Sequence, residues 1–410
     1  MRPSSQVFLL GLVALAGASP VSHHFNTTLL RNVSFTLSHG EAASCVTGEV
    51  QIPISFEAER WLFDKTTDSL SVTDFVLNIS TTDPNRLLDF SEGTTLIQKT
   101  YGIWVKYCVP SSGLPRSVGG AVQVLTHGGT LDHTYWDFAP GYSYVDVAAR
   151  AGMITLSYDR LGTGLSEHPD PLLEVQTPAS VEVLHQLVTM LRSGSFGPRF
   201  SKVVGVGHSI GSKATEAVIS QYPSDFDAII HTGYAYQNAA GAGSVVATGL
   251  GSTKDVAYLK HLPDGYFVPK SAEGIHICFF KYPNFDPQIL SQTVEQMQTE
   301  SMGEMLIPPN SSFWGNLTVT NNYRSPVLVI LGERDYVVCG HSCVTPQNLA
   351  VQTLDIAYAG ANRNLSEAWI SPGAGHNCHT HLNAPEVSAK MVTGVGCGGF
   401  NCIALPHCDR

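Results

Sequence analysis

"VVGVGHSIGS", residues 203–212, sets a short apolar strand against Gly207-His208-Ser209-Ile210-Gly211, and good helix-forming residues follow. A strand that turns tightly into a helix holds its apex residue in a strained backbone conformation. The residues two before and two after the apex must be small for the turn to close, and here they are Gly207 and Gly211. The apex side chain then projects above the carboxyl edge of the sheet, where open α/β sheets bind ligands. The first turn of the following helix points its N–H groups at the same spot. The pattern predicts Ser209 as a nucleophile and the Ile210 N–H as an oxyanion donor.

The flanking sequence repeats this rhythm. "AVQVLTH" (121–127), "MITLSYD" (153–159), "FDAIIHTG" (226–233) and "PVLVILG" (326–332) read as further buried strands, with a weak strand near 368–370. Between them lie helical stretches at 144–151, 211–221, 347–359 and 385–392. Thr177 and Pro178 are expected to open another as cap and first-turn residue, with Val181, Leu184, Val188 and Leu191 on one face and Gly194 closing it. Apolar strands alternating with amphipathic helices predict a mostly parallel sheet covered on both faces, an α/β fold. "VQIPISF" (50–56) and 96–109 read as strands before the series begins. Residues 234–322 break the alternation with Gly- and Pro-rich helical pieces, and read as an insertion over the sheet.

A serine nucleophile needs a base, and the base needs an orienting acid. "LVILGERDYVV" ends a strand in a polar turn, which makes Asp335 the candidate acid and Glu333 its rival. "SPGAGHNCHTH" offers His376 as the base, with His379 and His381 as rivals; the glycines before His376 favour it. The chain order Ser209, Asp335, His376 suits this fold type. A second oxyanion donor is expected from His127-Gly128-Gly129, at the N–H of Gly129. His376, Cys378, His379 and His381 are residue types that suit zinc, but their spacing fits no familiar structural zinc pattern.

On these residues, together with Trp136 and "SYDRLGTGLS" (157–166), the chain resembles an α/β-hydrolase-fold serine hydrolase of the single-domain type with a cap. Secreted fungal hydrolases and esterases are similar. The resemblance spans about residues 97–395. It implies an eight-stranded, mostly parallel sheet, hydrolysis without a cofactor, and a lid formed by 234–322 over the nucleophile. The implied organisation is a core of 96–233 and 323–396, the 234–322 cap, and an N-terminal extension, 19–95, packed on the sheet edge. Related epoxide hydrolases and haloalkane dehalogenases carry aspartate at the apex, where this chain has Ser209. The third glycine of hormone-sensitive-lipase-like esterases is replaced by Thr130. Asp159 and Arg160 are expected to form a buried structural pair. The expected activity is cleavage of a carboxylic ester or lactone in a small-molecule substrate. A serine exopeptidase, a C–C bond hydrolase or a non-catalytic binding protein are the alternatives on the same residues.

The rest of the chain bears on where this chemistry happens. A net charge of −11 with scattered Lys and Arg argues against nucleic acid or anionic membrane as partner. Arg2, the apolar run 7–15 and Ala16-Gly17-Ala18 read as a signal peptide, residues 1–18, too short to span a bilayer. Sequons at Asn26, Asn32, Asn78, Asn310, Asn316 and Asn364 agree with export and N-glycosylation. Nine cysteines then sit in a disulfide-permissive compartment. A Cys45–Cys108 bridge is expected, a tight Cys339–Cys343 loop is possible, and at least one bridge is expected among Cys397, Cys402 and Cys408 in the 397–410 tail.

Overall fold

The computed structural model describes residues 25–113, 121–236, 241–307, 320–340 and 342–396. The expected leader, the sequons at Asn310 and Asn316 and the bridge among Cys397, Cys402 and Cys408 lie outside these residues. No described helix is long and apolar enough to cross a membrane.

Among the described residues the strands are β1 (Leu30–Leu37), β2 (Ala43–Trp61), β3 (Ser91–Pro110), β4 (Ala121–Thr126), β5 (Ile154–Tyr158), β6 (Lys202–His208), β7 (Ala228–Thr232), β8 (Leu250–Ser252), β9 (Tyr266–Pro269), β10 (Glu300–Ser301), β11 (Val327–Gly332) and β12 (Glu367–Ser371). Nine of them form one sheet in the order β1-β2-β3-β5-β4-β6-β7-β11-β12, against the eight implied by resemblance. From β5 to β12 every pairing is parallel, and the three pairings from β1 to β5 are antiparallel. β5, β7 and β11 are buried along their whole length, as strands covered on both faces must be.

The helices over these strands lie close to where the sequence places them, and one more, the first in the chain, falls in the N-terminal segment where no helix is expected. Helix α1 is Ser69–Thr81, α2 Tyr144–Arg150, α3 Thr177–Ser193 and α4 Ile210–Gln221. The expected face of α3 (Val181, Leu184, Val188, Leu191) is buried, and Gly194 ends the helix with φ +80°. Its cap is Gln176 rather than Thr177, and makes no side-chain cap bond. The Gln176 amide instead bridges to β2, accepting from Glu59 N–H at 3.0 Å and donating to the Glu59 carbonyl at 2.8 Å. Chain order reverses between β4 and β6: β5 lies on one side of β4 and β6 on the other, which opens a crevice at their carboxyl ends.

The N-terminal region divides in two. β1 and the first half of β2 extend the sheet edge, where Cys45 and Cys108, register partners on β2 and β3, are joined by a disulfide. β2 and β3 then run beyond β5 as a long antiparallel arm carrying residues 62–90. In that segment Asp68 and Ser71 form a capping box that sets the start of α1. Val72, Phe75 and Val76, spaced to share a helix face, join Trp61, Leu87, Phe267, Met302 and Leu306 in a second, smaller apolar core. This core binds the arm to the β8–β9–β10 sheet and to the 302–305 turn of helix.

Candidate active site

Loops after five of the parallel strands, β4, β6, β7, β11 and β12, leave the carboxyl edge of the sheet and meet at one cavity of about 390 Å³. One follows β6. Ser209 stands at the head of α4 with φ +54° and ψ −120°, a conformation that side-chain-bearing residues adopt only when their surroundings hold them there. The glycines are required by close approach: a Cβ on Gly207 would lie 2.4 Å from Ser212 Cα, and one on Gly211 would lie 2.3 Å from the Thr126 carbonyl oxygen. The Ser209 N–H donates to the Thr232 carbonyl at 2.8 Å, anchoring the apex to β7.

Asp335 and His376 come from the loops after β11 and β12. His376 Nδ1 lies 2.8 Å from Asp335 Oδ2, and both residues are buried. Asp335 Oδ1 accepts from the Val338 N–H at 2.9 Å, so each carboxylate oxygen has a partner, as a buried carboxylate requires. Glu333 is turned away: its Oε2 accepts from Gly373 N–H at 3.0 Å, and Arg334 lies beside its other oxygen. Ser209, Ile210, Gly129 and His376 all line the cavity. The structure therefore brings together Ser209, Gly129, Ile210, Asp335 and His376, and leaves Glu333 outside.

The rival histidines have other partners. His379 is buried, with Nδ1 3.2 Å from the Tyr135 hydroxyl and Nε2 3.0 Å from Met391 Sδ. Burial pushes its pKa down to about 3, so it stays neutral. His381 Nε2 accepts two amide hydrogens, from Gly375 at 2.9 Å and Lys281 at 3.1 Å, and its Nδ1 donates to the Asn377 carbonyl at 2.9 Å. It pins the backbone immediately before His376. His208 lies between Thr232 Oγ1 and Asn377 Oδ1, each at 3.1 Å, and burial holds it neutral, with the neighbouring His376 adding to the effect.

The loop after β4 carries Gly129 and Thr130. Thr130 is buried against the cavity with φ +57°, and its hydroxyl has no partner among the described residues. Beneath this loop the expected Asp159–Arg160 pair is not formed. Asp159 Oδ1 accepts from His133 at 2.7 Å, through both its main-chain N–H and its ring, whereas Arg160 pairs with Glu304. Burial alone would raise the Asp159 carboxyl; the charge and hydrogen bond of His133 outweigh it and hold the group below its ordinary value. Asp132, His133 and Asp159 bring possible ligand atoms within 4.8 Å of one another, but these atoms are taken up in hydrogen bonds among themselves and with the local backbone.

Three charged residues in the cavity wall carry no motif in the sequence reading: Lys213, Glu300 and Glu304. Lys213 has a local signal, since it stands one helical turn beyond Ser209 and its N–H donates to the Ser209 carbonyl at 3.2 Å. Its ammonium is held down in pKa by burial, against the opposing charge of Glu216 4.0 Å away. Glu300 and Glu304 lie more than 90 residues from the elbow in sequence, and nothing local marks them.

Residues 123–390 match the alpha/beta hydrolase family, well over half of the chain. The chain belongs to that family. Among solved structures, this α/β-hydrolase is similar to an esterase from Thermogutta terrifontis (15% identity, 71% of this chain and 92% of that one, TM-score 0.49). It is also similar to the enol-lactonase from Burkholderia xenovorans LB400 (16%, 72% and 96%, 0.49). A third likeness is to a monoacylglycerol lipase from Paleococcus ferrophilus (12%, 67% and 93%, 0.47). No curated protein matches the sequence.

Proposed function

We propose that this hydrolase cleaves a carboxylic ester or lactone through an acyl-enzyme on Ser209. The observation that carries the reading is the strained Ser209 at the β6–α4 turn, lining one cavity with a His376 whose Nδ1 is held 2.8 Å from a buried Asp335. In the proposed reaction Ser209 Oγ attacks the acyl carbon and His376 Nε2 takes its proton. Asp335 keeps the proton on Nδ1 and steadies the imidazolium that forms. The N–H groups of Gly129 and Ile210 receive the oxyanion, each worth about 3–4 kcal/mol in comparable sites. His376 returns its proton to the leaving oxygen, and water repeats the attack on the acyl-enzyme. The unpartnered Thr130 hydroxyl supplies a further hydrogen bond for a substrate oxygen.

The cavity wall supports a substrate with an apolar acyl part. Ile79 and Leu87 from the N-terminal arm, with Val245, Leu250, Met305 and Ile307 from the segment after β7, cover Ser209. The arm thus shares the work of a cap with the 234–322 insertion. The disulfides Cys45–Cys108 and Cys339–Cys343, and the exposed positions of Asn26, Asn32, Asn78 and Asn364, are compatible with a secreted glycoprotein. A panel of aryl esters, lactones and aminoacyl arylamides tests the reaction class. Turnover of esters or lactones lost in Ser209→Ala is expected; turnover confined to the arylamides would replace this reading with an exopeptidase.

A further inference from the structure

The proposed oxyanion donor, the Gly129 N–H, sits on a loop whose two neighbouring peptide planes are fixed from different directions. The Gly128–Gly129 plane is held through its carbonyl: Gly128 O accepts from His127 Nδ1 at 2.8 Å and from Arg160 Nη2 at 3.4 Å. His127 Nε2 accepts from the Arg160 N–H at 3.0 Å, which leaves the ring proton on Nδ1. Because a peptide is planar, fixing this carbonyl fixes the opposite direction for the Gly129 N–H.

The Gly129–Thr130 plane is held from the roof. Glu300, on β10, accepts the Thr130 N–H of this plane through Oε2 at 3.1 Å, and Gln298 donates its N–H to the Thr130 carbonyl, in the plane that follows, at 2.9 Å. Thr130 is a β-branched residue at φ +57°, a conformation that needs such a clamp. The roof strand is itself stitched to the loops of the sheet: Thr299 Oγ1 donates to Gly162 O at 2.6 Å and Ser301 Oγ to Val175 O at 3.2 Å. Glu300 also packs directly on the donor residue, since a Cβ on Gly129 would lie 2.7 Å from Glu300 Oε2.

We propose that Glu300 is a positioning residue for the proposed reaction: by accepting the Thr130 N–H it holds the far side of Gly129, completing the clamp that His127 and Arg160 place on the Gly129 N–H, so that oxyanion stabilisation depends on the roof being in place. The proposal rests on the reading of Ser209 as nucleophile. Burial raises the Glu300 carboxyl above its ordinary value, with Arg160 and the Thr130 N–H opposing. What the loop requires of residue 300 is an acceptor oxygen, which a glutamine also offers.

The test is the steady-state kinetics of Glu300→Ala and Glu300→Gln on an aryl ester, beside Ser209→Ala. Misplacing a catalytic group by about 1 Å costs on the order of 10²-fold. Glu300→Ala is therefore expected to lower kcat by roughly that factor with KM little changed, and Glu300→Gln to recover most of it. A parental kcat in Glu300→Ala overturns the proposal, and so does a folded Glu300→Gln as damaged as Glu300→Ala. Gly129→Ala presses on the same contact from the other side and serves if Glu300→Ala does not fold; it should lower kcat, and an unchanged kcat again overturns the proposal. In the double variant, removing the Glu300 carboxyl relieves that contact, so the two losses should fall short of additive; additive losses count against the coupling. If Ser209→Ala keeps its turnover, the reading of the site fails instead, whatever Glu300 does.

Discussion

The floor of the cavity is main chain and the roof is side chain. Around Ser209 the positions are set by backbone approach: two glycines that admit no Cβ, an apex N–H bonded to β7, and loops leaving adjacent parallel strands. Above it, Ile79, Leu87, Leu250 and Met305 come from two segments far apart in the chain, joined through a small apolar core. The floor tolerates little change of shape, because a Cβ on Gly207 or Gly211 would run into neighbouring main chain. The roof is held by packing, which accepts volume-conserving changes at modest cost. In the proposed reaction chemistry belongs to the floor, with Glu300 positioning it from above, and selectivity to the apolar side chains of the roof.

The sharpest way to break this division is at the floor. Ser209→Ala is expected to lower ester turnover on the order of 10⁶-fold with little loss of stability, checked by kcat and thermal unfolding together. Asp335→Asn should follow at about 10⁴-fold through the wrong imidazole tautomer, while Glu333→Gln, whose carboxylate meets Gly373 instead, stays near the parent. A crippled Glu333→Gln would mean that the acid has been misassigned.

The histidines beyond His376 sharpen the comparison. From sequence alone His379 and His381 are both expected to be dispensable for activity. The bond from Gly375 N–H to His381 Nε2 changes that expectation for one of them. His381→Ala should lower kcat about 10- to 100-fold by loosening the loop that carries His376. His379→Ala should lower the unfolding temperature and leave kcat nearly intact. At the roof, Leu87→Ala or Leu250→Ala should shift preference toward longer acyl chains by about tenfold, mostly through KM. A Leu87 or Leu250 variant that loses kcat on every ester would show that the apolar roof does chemistry too.

This asymmetry also explains what could be read in advance. That Ser209, Asp335 and His376 come together was legible because each lies in a short motif just past a strand of the parallel series, so local pattern and global position coincide. The Cys45–Cys108 pair was legible for another reason, since these are the two cysteines of the N-terminal half of the chain. The roof was not legible. Val72, Phe75 and Val76 announce a helix face, but nothing nearby says that their partners are Phe267, Met302 and Leu306. The Arg160 partner was missed for the same reason: Asp159 is adjacent in sequence, while Glu304 arrives only through the fold. The Thr177 cap failed because Gln176, whose amide is committed to β2, fixes the start of the helix by a tertiary contact.

The account turns on whether Ser209 becomes acylated. The direct measurement is peptide mapping by mass spectrometry after brief reaction with a fluorophosphonate, and separately with a slowly turned-over aryl ester trapped in acid. The expected result is one adduct per chain from each reagent, on the peptide containing Ser209, absent from Ser209→Ala and strongly reduced in His376→Ala. Ester hydrolysis that proceeds with no adduct on that peptide, or an acyl group trapped on a different residue, would contradict it.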